Sequence, residues 1–173
     1  AYHLGLVLQG EGVTLGDLAS ALLRLEPLCV GEVARRADRL TAVVPALTAN
    51  VEASALAVAD GVEFTRIARE FHDLVVAFTP NETIRHVVRS LVALWSAQEQ
   101  QWAAALTRRG EYPSVAEARS AVRTHRRLVA DIAAGHAEDA ERFARRHLAA
   151  TQELLLERFT DDVVSAAPAR RVR

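Results

Sequence analysis

Lysine and methionine are absent from this chain, cysteine occurs once, and five Phe, two Trp and two Tyr are its only aromatic residues. The single cysteine, Cys29, excludes an internal disulfide and fits a reducing cytoplasm. It lies in the apolar stretch Leu28-Cys29-Val30 and reads as packing rather than chemistry. No apolar run approaches the roughly 18–20 residues of a membrane span, and no signal-peptide pattern is present. Without lysine, all 21 basic residues are arginine, set against 22 acidic ones. The resulting net charge of −1 gives the domain as a whole no electrostatic preference for nucleic acid. The exclusive use of arginine looks like a GC-rich coding bias. The lack of methionine means that the chain as given does not begin at a natural start, and a fragment of a longer protein is expected.

What is present is aliphatic. Half of the 173 residues are hydrophobic, dominated by alanine, valine and leucine, a composition suited to one helical domain with a sizeable core. Residues 1–13 carry Gly5, Gly10 and Gly12 and read as a connector with a short extended piece at Leu4 to Leu8. Thr14, with Asp17 three residues on, opens a helix that Pro27 either kinks or divides, and the pattern continues to about Asp38. Further helices are expected from about Arg39 to Asp60, with Asp60-Gly61 as a stop, then from Val62 to Phe78, and from Asn81 to Arg109. Gly110 to Pro113 ends that long helix. Ser114 caps the next, Gly135 closes it, and a last helix runs from about Glu138 to Phe159. The domain spans 14–160, and the tail 161–173 is expected to fray. No strand alternation appears, so the fold class is all-α, an antiparallel bundle of about six to seven helices.

Three histidines stand where these helices should bury only hydrophobic side chains. His72 follows Phe64, Ile67, Ala68 and Phe71 and precedes Val75. His125 falls in the row Val115, Ala118, Val122, His125, Val129, Ile132. His147 falls in the row Ala140, Phe143, Ala144, His147, Thr151, Leu154. Each row has the three-and-four spacing of one helix face. A buried imidazole needs a partner, because an unpaired polar group in a core costs about 1–3 kcal/mol. Taken singly, each is more simply a core histidine bonded to a carbonyl or water. His125 and His147, however, both lie about 15–18 Å from the turn at Gly135, so they stand level in an antiparallel hairpin. With His72 from a third helix they can share one divalent metal ion.

The inward row of the long helix, Ile84, Val88, Leu91, Trp95, Gln98, Trp102, Leu106, contains a second oddity. Gln98 reads either as a core amide bonded to a neighbouring helix or as an effector contact beside the apolar wall of Trp95. His86, His3 and His136 fall at solvated positions. Arg126-Arg127 and Arg145-Arg146 read as solvated helix surfaces. No carboxylate is evident on an inward face near the histidines, which weighs against the alternative of a stand-alone helical metalloenzyme with a three-histidine site.

The run from His125-Arg126-Arg127 to Gly135, followed by Ala140 and Arg146-His147-Leu148, resembles the C-terminal half of the FCD domain. This is the effector-binding domain of the FadR subgroup of GntR-type bacterial transcription regulators. Phe71-His72 with Asn81 resembles the family's middle motif. Gly12-Val13-Thr14-Leu15-Gly16-Asp17 through Leu25-Glu26-Pro27 resembles its first helix, so that the similarity covers about residues 12–159. The resemblance implies that His72, His125 and His147 hold a divalent metal, most often zinc or nickel, which can in turn hold a carboxylate effector. The family's fourth ligand is an aspartate four residues before the first histidine, where this chain has Ala68. The loss of the one anionic ligand should weaken the metal, and Glu70 points to another face. Some members bind acyl ligands with no metal, and that route stays open. The resemblance further implies a small organic acid or acyl effector, a winged-helix domain before Ala1 that carries all DNA binding, a homodimer and a cytoplasmic location.

Overall fold

The structure, a computed structural model, describes residues 2–108 and 114–165, with backbone alone at 103, 105, 107, 154, 155, 158 and 159. The expected stop at 110–113, the tail beyond 165 and the side chain of Leu154 therefore lie outside the described residues. Seven α-helices are found among them: α1 (Tyr2–Gly10), α2 (Leu15–Ala34), α3 (Val44–Leu56), α4 (Gly61–Ala77), α5 (Glu82–Thr107), α6 (Val115–Ala134) and α7 (Ala137–Phe159). A π-helical turn, Arg39–Val43, leads directly into α3, where Pro45 sits in the first turn.

Local chemistry sets most helix ends. Thr14 accepts from the Asp17 amide, Asp60 from Val62 and Glu63, and Asn81 from Ile84. Ser114 and Glu117 form a reciprocal capping box at the start of α6. Gly135 closes α6 in the left-handed conformation, with φ of 74°, and its amide reaches back to the last turn. Asp60-Gly61 is an N-terminus rather than a stop. The preceding helix has already ended at Leu56, and the Asp60 carboxylate serves the amides of α4.

Pro27 neither breaks nor divides α2. A proline withdraws the hydrogen bond to the carbonyl four residues earlier, here that of Leu23. Arg145 Nη1 of α7 donates to that oxygen at 2.9 Å, so the unbroken helix keeps its polar groups satisfied. Arg145, expected as a solvated surface residue, is partly exposed and also serves as a tertiary clamp. Helix α2 packs along α7, α4 against α3 and α5, and α6 between α3 and α7. Trp95, Phe71, Leu15, Leu22, Leu47, Leu128 and Ile132 fill the centre.

The two ends of the chain correct the sequence expectations. Residues 2–10 are helical, not extended, and Leu4 and Leu8 pack against the core. The tail does not fray through residue 165. Leu15 N donates to Asp162 O at 2.8 Å, Gly16 N to Thr160 O at 3.0 Å and Val164 N to Val13 O at 2.9 Å, and Val164 is buried. Glycine at 16 permits this approach, because a Cβ there would meet Thr160 Oγ1 at 2.7 Å.

Candidate metal centre

The three inward histidines converge. His72 comes from α4, His125 from α6 and His147 from α7, and each offers a ring nitrogen within 4.8 Å of the other two. His125 Nε2 and His147 Nε2 are 3.1 Å apart. The His72 and His147 rings stack at a centroid distance of 5.6 Å, and His125 meets both edge to face. His125 also stacks on Phe71 at 4.1 Å, nearly parallel, which fixes its plane.

Burial keeps these imidazoles neutral. It drives His72 and His125 well below their ordinary range, with the positive potential of Arg69 acting on His72 and that of His147 acting on His125. His147 is pushed down to about 3, first by burial and then by His72. A neutral imidazole is the form that ligates a metal.

The rings line a cavity of about 50 Å³ between α4, α5, α6 and α7. Ala68 is on its wall, so an aspartate there would stand at the cavity's edge. Arg69 and Glu99 line it too. They form a buried ion pair at 3.0 Å, and Trp95 Nε1 donates to the same Glu99 oxygen at 3.1 Å. Behind His72 lies Glu26 of α2, 1% exposed, whose Oε1 is hydrogen-bonded to His72 Nδ1. Its other oxygen, Oε2, is buried with no hydrogen-bond partner. Burial pushes the Glu26 carboxyl up, against the lowering pull of Arg69.

Glu26 and Glu99 overturn the expectation that no carboxylate stands near the histidines. The signal was present in the sequence: Leu15, Leu18, Leu22, Glu26, Cys29 and Val33 form one inward row by the same spacing that singles out the histidines. Gln98 and Trp95 are both buried, but neither lines the cavity. Gln98 Nε2 donates to Ser165 O at 3.0 Å, and Trp95 reaches the site only through Glu99. Glu70 is exposed and paired with Arg66, away from the site, and His3, His86 and His136 are exposed. Cys29 is fully buried among core side chains, and burial pushes its thiol up, in keeping with a packing role.

The donor set suits a divalent cation. Metal–imidazole bonds of about 2.0–2.1 Å place two ligand nitrogens about 2.8–3.4 Å apart in octahedral or tetrahedral surroundings. His125 and His147 already have that separation, and the 4.8 Å limit on the third asks for a small closure. Three neutral imidazole nitrogens facing one small cavity form a set of borderline-soft ligands, with the Glu26 carboxyl behind one of them.

Comparison with known proteins returns one family. The family model described as FCD domain matches residues 17–150. No curated protein and no solved structure matches the chain.

Proposed function

Because the chain belongs to the FCD domain family, the effector-binding domain of GntR-family regulators, we propose that it senses a small anionic metabolite through a divalent metal held by His72, His125 and His147. The convergence of three neutral histidines on one cavity carries this reading. When bound, zinc or nickel supplies a Lewis-acidic site with positions left over for a carboxylate. The remaining work falls to the chain's own residues. Arg69, fixed by Glu99, presents a second positive group to the same cavity, and Phe71 holds the His125 ring. Trp95 contributes from behind, through Glu99. A cavity of about 50 Å³ suits a ligand of a few heavy atoms, so a small organic acid is favoured over a long acyl chain.

We assign the chain to the FadR subgroup, with a winged-helix domain preceding it, a cytoplasmic location and two-fold self-association. Pairing would cover exposed apolar residues such as Tyr2, Leu6 and Val7 of α1. Effector binding alters DNA affinity only if it distinguishes two arrangements of the regulator. The buried carboxylates remove one objection to a metalloenzyme, but the family is a regulatory one, and sensing is the reading it supports.

The test is the metal content of protein purified without a histidine tag or chelator, followed by thermal-shift screening of organic acids. We expect about one divalent ion per chain and stabilisation by small acids that disappears after chelation. Acid stabilisation that survives complete metal removal would replace the metal-mediated reading with a purely organic pocket.

A further inference from the structure

We propose that Glu26 is a positioning residue for the metal: it orients His72 from behind and supplies, one step removed, the negative charge that Ala68 does not provide. The inference rests on the metal reading above and extends it to a residue outside the ligand set. Four observations carry it. First, Glu26 is almost wholly enclosed, and a carboxylate in such a place is expensive unless it is paired. Second, among the described residues its one hydrogen bond is with His72, Nδ1 to Oε1, and Oε2 has none, so the side chain is committed to that ring. Third, Glu26 does not line the cavity and is not among the groups whose donor atoms converge. It therefore acts on the ring and not as a direct ligand. Fourth, the residue one turn before His72 that does line the cavity is an alanine, so α4 offers no anion there.

The chemistry follows from the tautomer. A histidine that donates Nδ1–H to a carboxylate keeps its Nε2 lone pair for a cation, and the carboxylate makes that nitrogen a stronger base. Glu26 thus fixes which nitrogen of His72 is the ligand, holds the ring in place, and offsets part of the cation's charge without entering the cavity. The backbone of α2 supports this placement. Pro27 would cost the helix a hydrogen bond immediately beyond Glu26, but Arg145 of α7 takes the stranded Leu23 carbonyl. Helix α2 runs on through Pro27, and Glu26 lies on its inward row against His72.

The experiment is a zinc competition titration of the 173-residue chain against a chromophoric chelator. It compares the wild type with Glu26→Gln, Glu26→Asp and the double variant Glu26→Gln/Ala68→Asp. Glutamine keeps an acceptor for His72 but removes the charge, and aspartate keeps the charge but withdraws its reach. We expect both single variants to weaken zinc binding on the order of 10–100-fold, and the double variant to recover most of that loss. Ala68→Asp alone is measured beside them, because it should tighten zinc by itself: a gain larger on Glu26→Gln than on the wild type is a readout that a merely structural role for Glu26 would not give. Wild-type affinity in both single variants overturns the assignment of Glu26 and leaves the metal reading intact. An Ala68→Asp gain no larger on Glu26→Gln than on the wild type also overturns it, because Glu26 would then act through shape and not charge. A wild-type chain that binds no zinc overturns both readings at once. If Glu26→Gln does not fold, Glu26→Asp against the wild type decides the matter alone.

Discussion

At the scale of the residue, the three histidines tie stability to pH. In the metal-free protein all three are held neutral in the fold, with pKa values depressed by burial, that of His147 to about 3. In the unfolded chain they titrate near 6.5. Below that value the unfolded state takes up protons that the folded state refuses, so the histidines favour folding fully above about pH 6.5 and progressively less below it. Glu26, with its pKa raised by burial, works the other way and offsets at most one of the three histidine protons. Chelator-treated protein should therefore have a urea midpoint that falls as pH drops from about 6.5 to 5. A midpoint that is flat across that window would mean that the rings are not buried neutral. Ala68 provides a second test. Its methyl is on the cavity wall, so Ala68→Asp should tighten zinc binding in a competition titration, and unchanged affinity would mean that the ion is held elsewhere.

At the scale of the element, α2 shows how a local fault is repaired from a distance. A proline in a helix interior costs ~3 kcal/mol or more, partly through the hydrogen bond it removes. The guanidinium of Arg145 returns that bond, so the cost of Pro27 is shared between two helices distant in sequence. Arg145→Met should keep the aliphatic stem and leave the part-buried Leu23 carbonyl without its partner, a loss of about 0.5–1.5 kcal/mol. Urea denaturation of the variant would read this directly. A loss under about 0.5 kcal/mol would show that water serves the carbonyl equally well. The turn at Gly135 is the other sensitive element. Its φ of 74° disfavours any side chain, and a Cβ there would meet the Arg39 guanidinium at 3.1 Å. That turn sets the register in which His125 and His147 stand level.

At the scale of the whole molecule, charge divides the labour. With a net charge of −1, and with Arg126 paired to Glu52, Arg127 to Asp131 and Arg145 to Leu23 O and Glu141, the arginine clusters are engaged within the fold. Sequence-specific DNA binding needs clustered positive charge for its phosphate contacts. This chain alone should give no salt-resistant shift of an operator fragment in a gel assay. A protein that also carries a winged-helix domain should give one, on a palindrome whose half-sites are about one helical turn or more apart. Specific binding by residues 1–173 alone would place a DNA surface on this domain.

Much of this was written in the sequence. The all-α class followed from the periodicity, the starts of α2, α5 and α6 from Thr14, Asn81 and Ser114, and the end of α6 from Gly135, because caps and helical faces depend on residues close in the chain. The inward histidines were legible for the same reason, and their equal height followed from counting residues on either side of one turn. Other features needed the tertiary structure. Residues 2–10 look like a glycine-rich connector, yet they are helical because Leu4 and Leu8 find the core. The segment at 160–165 looks frayed, yet it is held by the first residues of α2. The Leu23 carbonyl that Pro27 strands is taken by Arg145, a residue 122 positions away. Gln98 sits on an inward row, but the packing of α5 turns it to Ser165 and away from the cavity. The pairing of Glu26 with His72 joins residues 46 positions apart. Periodicity shows which way each side chain points along its own helix. What it meets there is decided by how the helices pack, and no local pattern encodes that.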